Sequence, residues 1–92
     1  MKVAHPAATG VITTGSYKVY SVYVTPAAAD ATITVVNSAD GTGTPETVAV
    51  VIAKASTNTT QVVFPGGVTA GLGIYISALS GAGAKFGVQY DG

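Results

Sequence analysis

The chain has 92 residues, enough for one domain, and 48% of them are apolar while only 9% are charged. Four lysines balance four acids and there is no arginine, so the chain lacks the clustered cations that nucleic-acid phosphates require. There is no cysteine, which excludes disulfides and thiolate metal sites. This composition predicts a folded domain whose weakly charged surface does little to oppose association with other proteins.

Residues 1–16 are predicted to form an N-terminal arm with weak strands, ahead of a domain at residues 17–92. Met1–His5 could be a short strand or an arm, and Pro6 ends it because proline lacks an amide donor. Val11–Thr14 is a brief strand candidate. Such an arm would suit strand addition to a neighbouring chain, so we expect its deletion to leave a folded domain with weakened assembly.

The segment Tyr17–Thr25 predicts a strong strand with two apolar faces. Strand alternation places Val22 and Val24 with Tyr20 on one face, and Tyr17, Val19 and Tyr23 with Ser21 on the other. A strand that is apolar on both faces is typical of a central position. We expect the domain's own core to cover one face and a partner or second layer to cover the other.

The middle of the chain predicts three more strands: Ala31–Ser38, Glu46–Ala55 and Gln61–Phe64. Ala39–Pro45 is predicted to be a loop in which Asp40 opens an Asx-turn, and Ser56–Thr60 is a polar turn. Val68–Gly71 is predicted to be a bend.

The last third of the chain predicts a β-hairpin. Leu72, Ile74, Ile76 and Ala78 share one face of its first strand, and Phe86, Val88 and Tyr90 share one face of its second. Ser80–Gly83 would form the turn, because its glycines tolerate positive φ. Gly73 and Gly87, inside the strands, indicate bulges or close backbone approach.

Together these elements predict an all-β fold, a single small antiparallel β-sandwich of jelly-roll-like form with about six to eight strands. A partly open barrel remains the alternative. The predicted interior consists of Val22, Val24, Ile33, Val35, Val48, Val50, Ile52, Phe64, Leu72, Ile74, Ile76, Phe86 and Val88.

The residues that could do chemistry are few and scattered. His5 is the only histidine, and the four acids fall in turns or at the end of the chain, so we expect neither an enzyme nor a cofactor or metal site. The tyrosines could serve an interface, core packing or ligand stacking. The predicted partner surface comprises Met1, Lys2, Val3, His5, Tyr17, Tyr23 and Tyr75.

The closing segment resembles small structural proteins of tailed bacteriophages. The matching residues are Phe64-Pro65-Gly66-Gly67, Gly71-Leu72-Gly73-Ile74-Tyr75-Ile76, Ser80-Gly81-Ala82-Gly83 and Val88-Gln89-Tyr90-Asp91. Tyr17–Thr25 and Ala31–Asn37 are similar to the strands that open the same sandwich. The resemblance covers most of the chain after Gly15, and the sequence departs from the pattern at Gly73, where a side chain is expected.

The resemblance implies a virion component, foremost a capsid decoration (cement) protein that binds major capsid subunits, often as a homotrimer. A tail, neck or fibre subunit is the first alternative, and a carbohydrate-binding module that uses the tyrosines is the second. The expected location is the capsid surface after synthesis in the host cytoplasm. No signal peptide or membrane span is expected, since no apolar run approaches the ~20 residues that a spanning helix needs.

Overall fold

The computed structural model describes residues 1–56 and 58–92, and these form eight strands with no helix among them. The strands are β1 (Lys2–Ala4), β2 (Gly10–Thr14), β3 (Tyr17–Thr25), β4 (Ala31–Asn37), β5 (Glu46–Ala53), β6 (Thr60–Ala70), β7 (Gly73–Ser80) and β8 (Lys85–Asp91). Val, Ile, Thr and Tyr fill these segments because such side chains suit a pleated surface.

The strands make two antiparallel four-stranded sheets. Sheet A has the order β1-β8-β3-β6 and sheet B the order β2-β7-β4-β5. The pairs β1–β8, β2–β7, β3–β6 and β4–β5 are nested, so that Lys2 lies opposite Tyr90 while Thr32 lies opposite Ile52. This is the connectivity of an eight-stranded jelly roll, which confirms the predicted fold class.

Most strand positions agree with the sequence prediction, and β3 has the predicted bounds. The main difference is β6, a single strand of 11 residues that includes both the predicted strand Gln61–Phe64 and the predicted bend at Val68–Gly71. In the register with β3, Val19 lies opposite Val68 and the next paired residue, Ser21, lies opposite Val63. Residues 64–67 of β6 are left out of this pairing and form an irregularity within the strand. Of the predicted turn Ser56–Thr60, Thr57 lies outside the described residues.

The predicted closing hairpin is wrong, because β7 and β8 belong to different sheets. The turn at residues 81–84 does have the predicted glycines with positive φ, at Gly81 (124°) and Gly83 (74°). It carries the chain across the sandwich instead of back along the same sheet. The only sequential strands that pair with each other among the described residues are β4 and β5.

The predicted faces of β3 are also corrected, because a bulge at Tyr20 interrupts the alternation. The registers on both neighbours shift between Val19 and Ser21. The extra residue moves every later side chain of β3 to the opposite face of the sheet. As a result Val19, before the bulge, and Val22 and Val24, after it, all point into the core. Ser21 and Tyr23 face outward. The prediction that β3 is central in its sheet is confirmed.

The inward face of β5 is the opposite of the one predicted. Ala49, Val51 and Ala53 are buried, whereas Val50 and Ile52 are 52% and 61% exposed. Both sides of this strand are apolar, so alternation alone did not distinguish them. The register with β4 settles the choice, because Ile33 lies opposite Val51 and Thr34 lies opposite Val50.

The core otherwise follows the predicted interior. Val48 and Phe64 pack against it while half-buried, and Leu72 is a further correction because it is 63% exposed in the β6–β7 turn. The predicted residues that are buried are Val22, Val24, Ile33, Val35, Ile74, Ile76, Phe86 and Val88. Val19, Ala31, Ala49, Val51, Ala53 and Ala70 complete the interior.

The segment predicted as an arm is part of the sandwich. β1 pairs with β8 at the edge of sheet A, and β2 pairs with β7 at the edge of sheet B. The two strands are short, but without them one edge of β7 and one edge of β8 would be unpaired. Pairing at these edges satisfies the hydrogen-bonding groups of the backbone. Residues 2–4 and 10–14 are therefore paired within their own chain.

Candidate interaction surface

The predicted partner residues separate into three places. Val3, His5 and Tyr23 share the outer face of sheet A, since Val3 lies opposite Gln89 and Tyr23 opposite Gly87. The amino group of Met1 lies 3.6 Å from the Asp91 carboxylate at one end of that sheet. Lys2 and Tyr17 meet at the same end, and Tyr75 lies on sheet B. The seven residues thus do not form one continuous surface.

His5 takes over a hydrogen bond that Pro6 cannot make. Extending the β1–β8 register places Pro6 opposite Phe86, where proline has no N–H to donate. The Nδ1 atom of His5 lies 3.2 Å from the Phe86 carbonyl oxygen and 3.3 Å from the Tyr23 hydroxyl. A carbonyl only accepts, so the bond to Phe86 is made by the tautomer that carries its proton on Nδ1. His5 therefore has a structural role at the end of β1.

Tyr23 is held by a glycine on the neighbouring strand. A methyl group added to Gly87 would lie 2.1 Å from the Tyr23 ring, so the ring rests directly on the backbone of β8. His5 meets the same ring edge-on, with centroids 6.4 Å apart. Next to it, the buried hydroxyl of Ser21 donates to the side-chain oxygen of Gln89. At Gly87, where the sequence predicted a bulge or close backbone approach, the close approach is made by a side-chain ring.

Tyr17 belongs to a cluster at the end of sheet A. Its ring meets that of Tyr90 edge-on at 5.6 Å, and the Lys2 ammonium lies 5.7 Å from its centroid. Edge-to-face pairs of this kind add to apolar burial. Tyr17 and Tyr90 both pack against the core, so core packing accounts for them.

Tyr75 lies beneath the loop that connects β4 to β5. A methyl group on Gly41 would lie 2.5 Å from its ring. The loop is shaped by Ser38, whose hydroxyl accepts the Gly41 N–H at 2.8 Å, and by the predicted Asx-turn, in which Asp40 accepts the Thr42 N–H at 3.0 Å. The backbone N–H and then the hydroxyl of Thr42 lower the pKa of Asp40 below its usual 3.8.

A further exposed surface lies elsewhere, on the outer face of sheet B, and includes the exposed side chains of Val50 and Ile52. Val50, Thr34 and Ala78 form one row across β5, β4 and β7, and Ile52, Thr32 and Ser80 form the next. Val11 on β2 lies opposite Tyr75 on the same sheet and is 51% exposed. We call this surface the B face; none of its seven members is charged: Val11, Thr32, Thr34, Val50, Ile52, Ala78 and Ser80.

Sequence reasoning missed the B face because it placed Val50 and Ile52 in the interior. A signal was available in the small residues Ala49 and Ala53, which fit between two closely packed sheets better than on an exposed surface. That signal becomes decisive only when the opposite strand is known. The B face therefore emerges from the register of sheet B.

The described residues include no group of three or more His, Asp or Glu side chains placed to hold a metal ion. In the same part of the chain, no helix has the length and hydrophobicity to cross a membrane. Comparisons with known protein families, with curated proteins and with solved structures find no significant match.

Proposed function

We propose that this protein is a non-enzymatic structural subunit that attaches to a larger protein shell through its B face. The observation that carries the proposal is that this face has no charged residue and that its valine and isoleucine on an edge strand, Val50 and Ile52, are more than half exposed. Exposed apolar patches are typical of protein–protein contact, and charge depletion characterises the centre of such contacts.

The resemblance of the closing segment directs this proposal to a tailed-bacteriophage virion. In that setting the shell is the phage head, the partner is the major capsid protein, and the subunit is a capsid decoration protein. A rigid jelly roll with few charges suits the role, because attachment requires shape and apolar contact without catalytic groups. We expect self-association as well, and the resemblance predicts a homotrimer.

The tyrosines support attachment to protein over the carbohydrate-binding alternative. Tyr23 and Tyr75 each have ring atoms packed closely against a glycine, at Gly87 and Gly41 respectively. Tyr17 packs against Tyr90. Sugar stacking needs a free aromatic face, and these three rings are at least partly used by the fold.

The test is co-sedimentation of the purified protein with heads of the phage that encodes it. We expect saturable binding that V50K/I52K abolishes, because two ammonium groups would have to be desolvated at the contact. The matched control is V63K, at a site 60% exposed on an edge strand of sheet A. Far-UV circular dichroism checks that the variants fold.

Each outcome has a defined meaning. Binding to tails or necks but not heads would favour the first alternative, a subunit placed elsewhere on the virion. Saturable glycan binding that Tyr23→Ala abolishes would favour a carbohydrate-binding module. Equal loss of head binding in V63K and V50K/I52K would overturn the assignment to the B face.

A further inference from the structure

Both edge strands at one side of the sandwich stop before their partners do. β1 pairs with Val88–Tyr90 of β8, although β8 begins at Lys85. β2 pairs with residues 73–76 of β7, although β7 continues to Ser80. Among the described strands, none pairs with residues 85–87 on the β1 side. The two sheets therefore share a corner at which residues 85–87 of β8 carry no paired strand on this side, and the His5 ring contacts the Phe86 carbonyl there.

A cleft of about 580 Å³ occupies this corner. It lies between the segment that leaves β1 and the turn that joins β7 to β8, and its lining includes His5, Pro6, Leu79, Ser80, Lys85 and Phe86. This volume is within the range of binding pockets and accommodates a few residues of extended chain.

The backbone of Phe86 is oriented toward the cleft. Its carbonyl oxygen accepts from the His5 ring, which lies on the β1 side of β8. In an antiparallel strand the N–H and C=O of one residue point to the same side, so the Phe86 N–H also points there. A further strand at this edge would meet both groups, with its donor replacing the His5 ring at the carbonyl.

The side chains around that edge define what the added strand should carry. Lys85 lies opposite Thr25 on the outer face of sheet A, while Phe86 points inward beside Leu79. The lining contains a lysine and a histidine but no acid. Because side chains alternate along a strand, a partner strand would place a carboxylate beside Lys85 and the next, apolar side chain over Phe86.

We propose that this cleft is a strand-addition site for an extended peptide in which an acidic residue adjoins an aliphatic one. Backbone hydrogen bonds to Phe86 would provide affinity for any extended peptide. The ion pair with Lys85 and the apolar contact would provide selectivity for the acidic–aliphatic sequence. The site meets the B face only at Ser80 and involves neither Val50 nor Ile52, so it goes beyond the proposed function and does not depend on it.

The test is titration of the 15N-labelled protein with the peptide acetyl-Thr-Val-Asp-Ile-Thr-amide, monitored by amide NMR. We expect saturable shifts at residues 85–87, together with a shift of the ring nitrogens of His5, the only histidine in the chain. The same peptide with Lys in place of Asp should bind about fivefold more weakly or worse, corresponding to one exposed ion pair.

Two variants sharpen the result. K85E should weaken binding of the acidic peptide and strengthen binding of the lysine peptide, whereas K18E makes the same charge change at the distant end of β3 and should leave both affinities unchanged. No saturable shift at residues 85–87 with the acidic peptide, or equal affinity of both peptides, would overturn the proposal. V50K/I52K should still bind the acidic peptide, which separates this site from shell attachment.

Discussion

The ring of Tyr23 lies directly on Gly87, one strand away in sheet A, so close that a methyl group added there would sit 2.1 Å from a ring carbon. The glycine makes room for the ring, and the ring covers backbone that a glycine leaves bare. Tyr75 has the same relationship with Gly41 on the other side of the sandwich. These pairs explain why aromatic residues on outward faces are half-buried in this protein.

We expect Gly87→Ala to destabilise the fold by about 1–3 kcal/mol, because the Tyr23 ring must leave its position over β8. Urea unfolding followed by circular dichroism measures the change. Gly71→Ala is the matched control, since nothing lies within 4 Å of its added methyl group, and it should be close to neutral. Tyr23→Ala should remove most of the Gly87→Ala penalty; additive effects in the double variant would contradict the contact.

Substitutions at two neighbouring valines test which face of β5 points into the core. Val51→Thr should cost about 1–3 kcal/mol, because it buries a hydroxyl group in the core, where Val51 is 2% exposed. Val50→Thr, on the B face, should change the free energy of unfolding by less than about 0.5 kcal/mol. Both substitutions keep a β-branched side chain, so strand propensity does not separate them. Equal costs would mean that the assigned faces are incorrect.

Deletion of residues 1–16 should unfold or strongly destabilise the domain, contrary to the expectation from the sequence. The deletion removes edge strands from both sheets and exposes the edges of β7 and β8. Amide NMR dispersion reports whether the shortened chain folds. Adding the synthetic 1–16 peptide should restore dispersion if the loss comes from the missing strands. A well-dispersed spectrum without the peptide would support an independent arm.

Carbon-detected NMR titration of Asp40 should give a pKa below 3.8. Thr42→Val removes the hydroxyl donor and keeps the backbone N–H, so the pKa should rise only part of the way; Thr42→Ser should retain the low value. Since the folded-state pKa is depressed, the carboxylate stabilises the loop fully above the unfolded pKa. That contribution disappears as the pH falls through the lower, folded value.

Light scattering across a dilution series tests self-association. A particle of three times 9.0 kDa would support the homotrimer that the resemblance predicts, and V50K/I52K should dissociate it if the B face forms the contact. A concentration-independent mass of 9.0 kDa would exclude a stable free oligomer. In that case the subunits would assemble only on the surface of the shell.

The sequence determined the local features of this protein. Strand-forming residues at Tyr17–Thr25 and Ala31–Asn37, and the glycines of the β7–β8 turn, predicted the elements with nearly correct bounds. The residue types predicted an all-β domain. These features depend only on residues close in sequence. Their backbone preferences and the alternation of apolar and polar side chains can be read directly from the sequence.

Only the tertiary structure decided which strands pair and which faces point inward. Pairing of Lys2 with Tyr90 joins residues at opposite ends of the chain, and the turn at residues 81–84 is compatible with either a hairpin or a crossing between sheets. The bulge at Tyr20 reverses the alternation of β3 by one residue, and the register with β4 turns Val50 outward. The B face and the cleft beside Phe86 depend on such pairings, because register is fixed by the partner strand and not by the strand's own sequence.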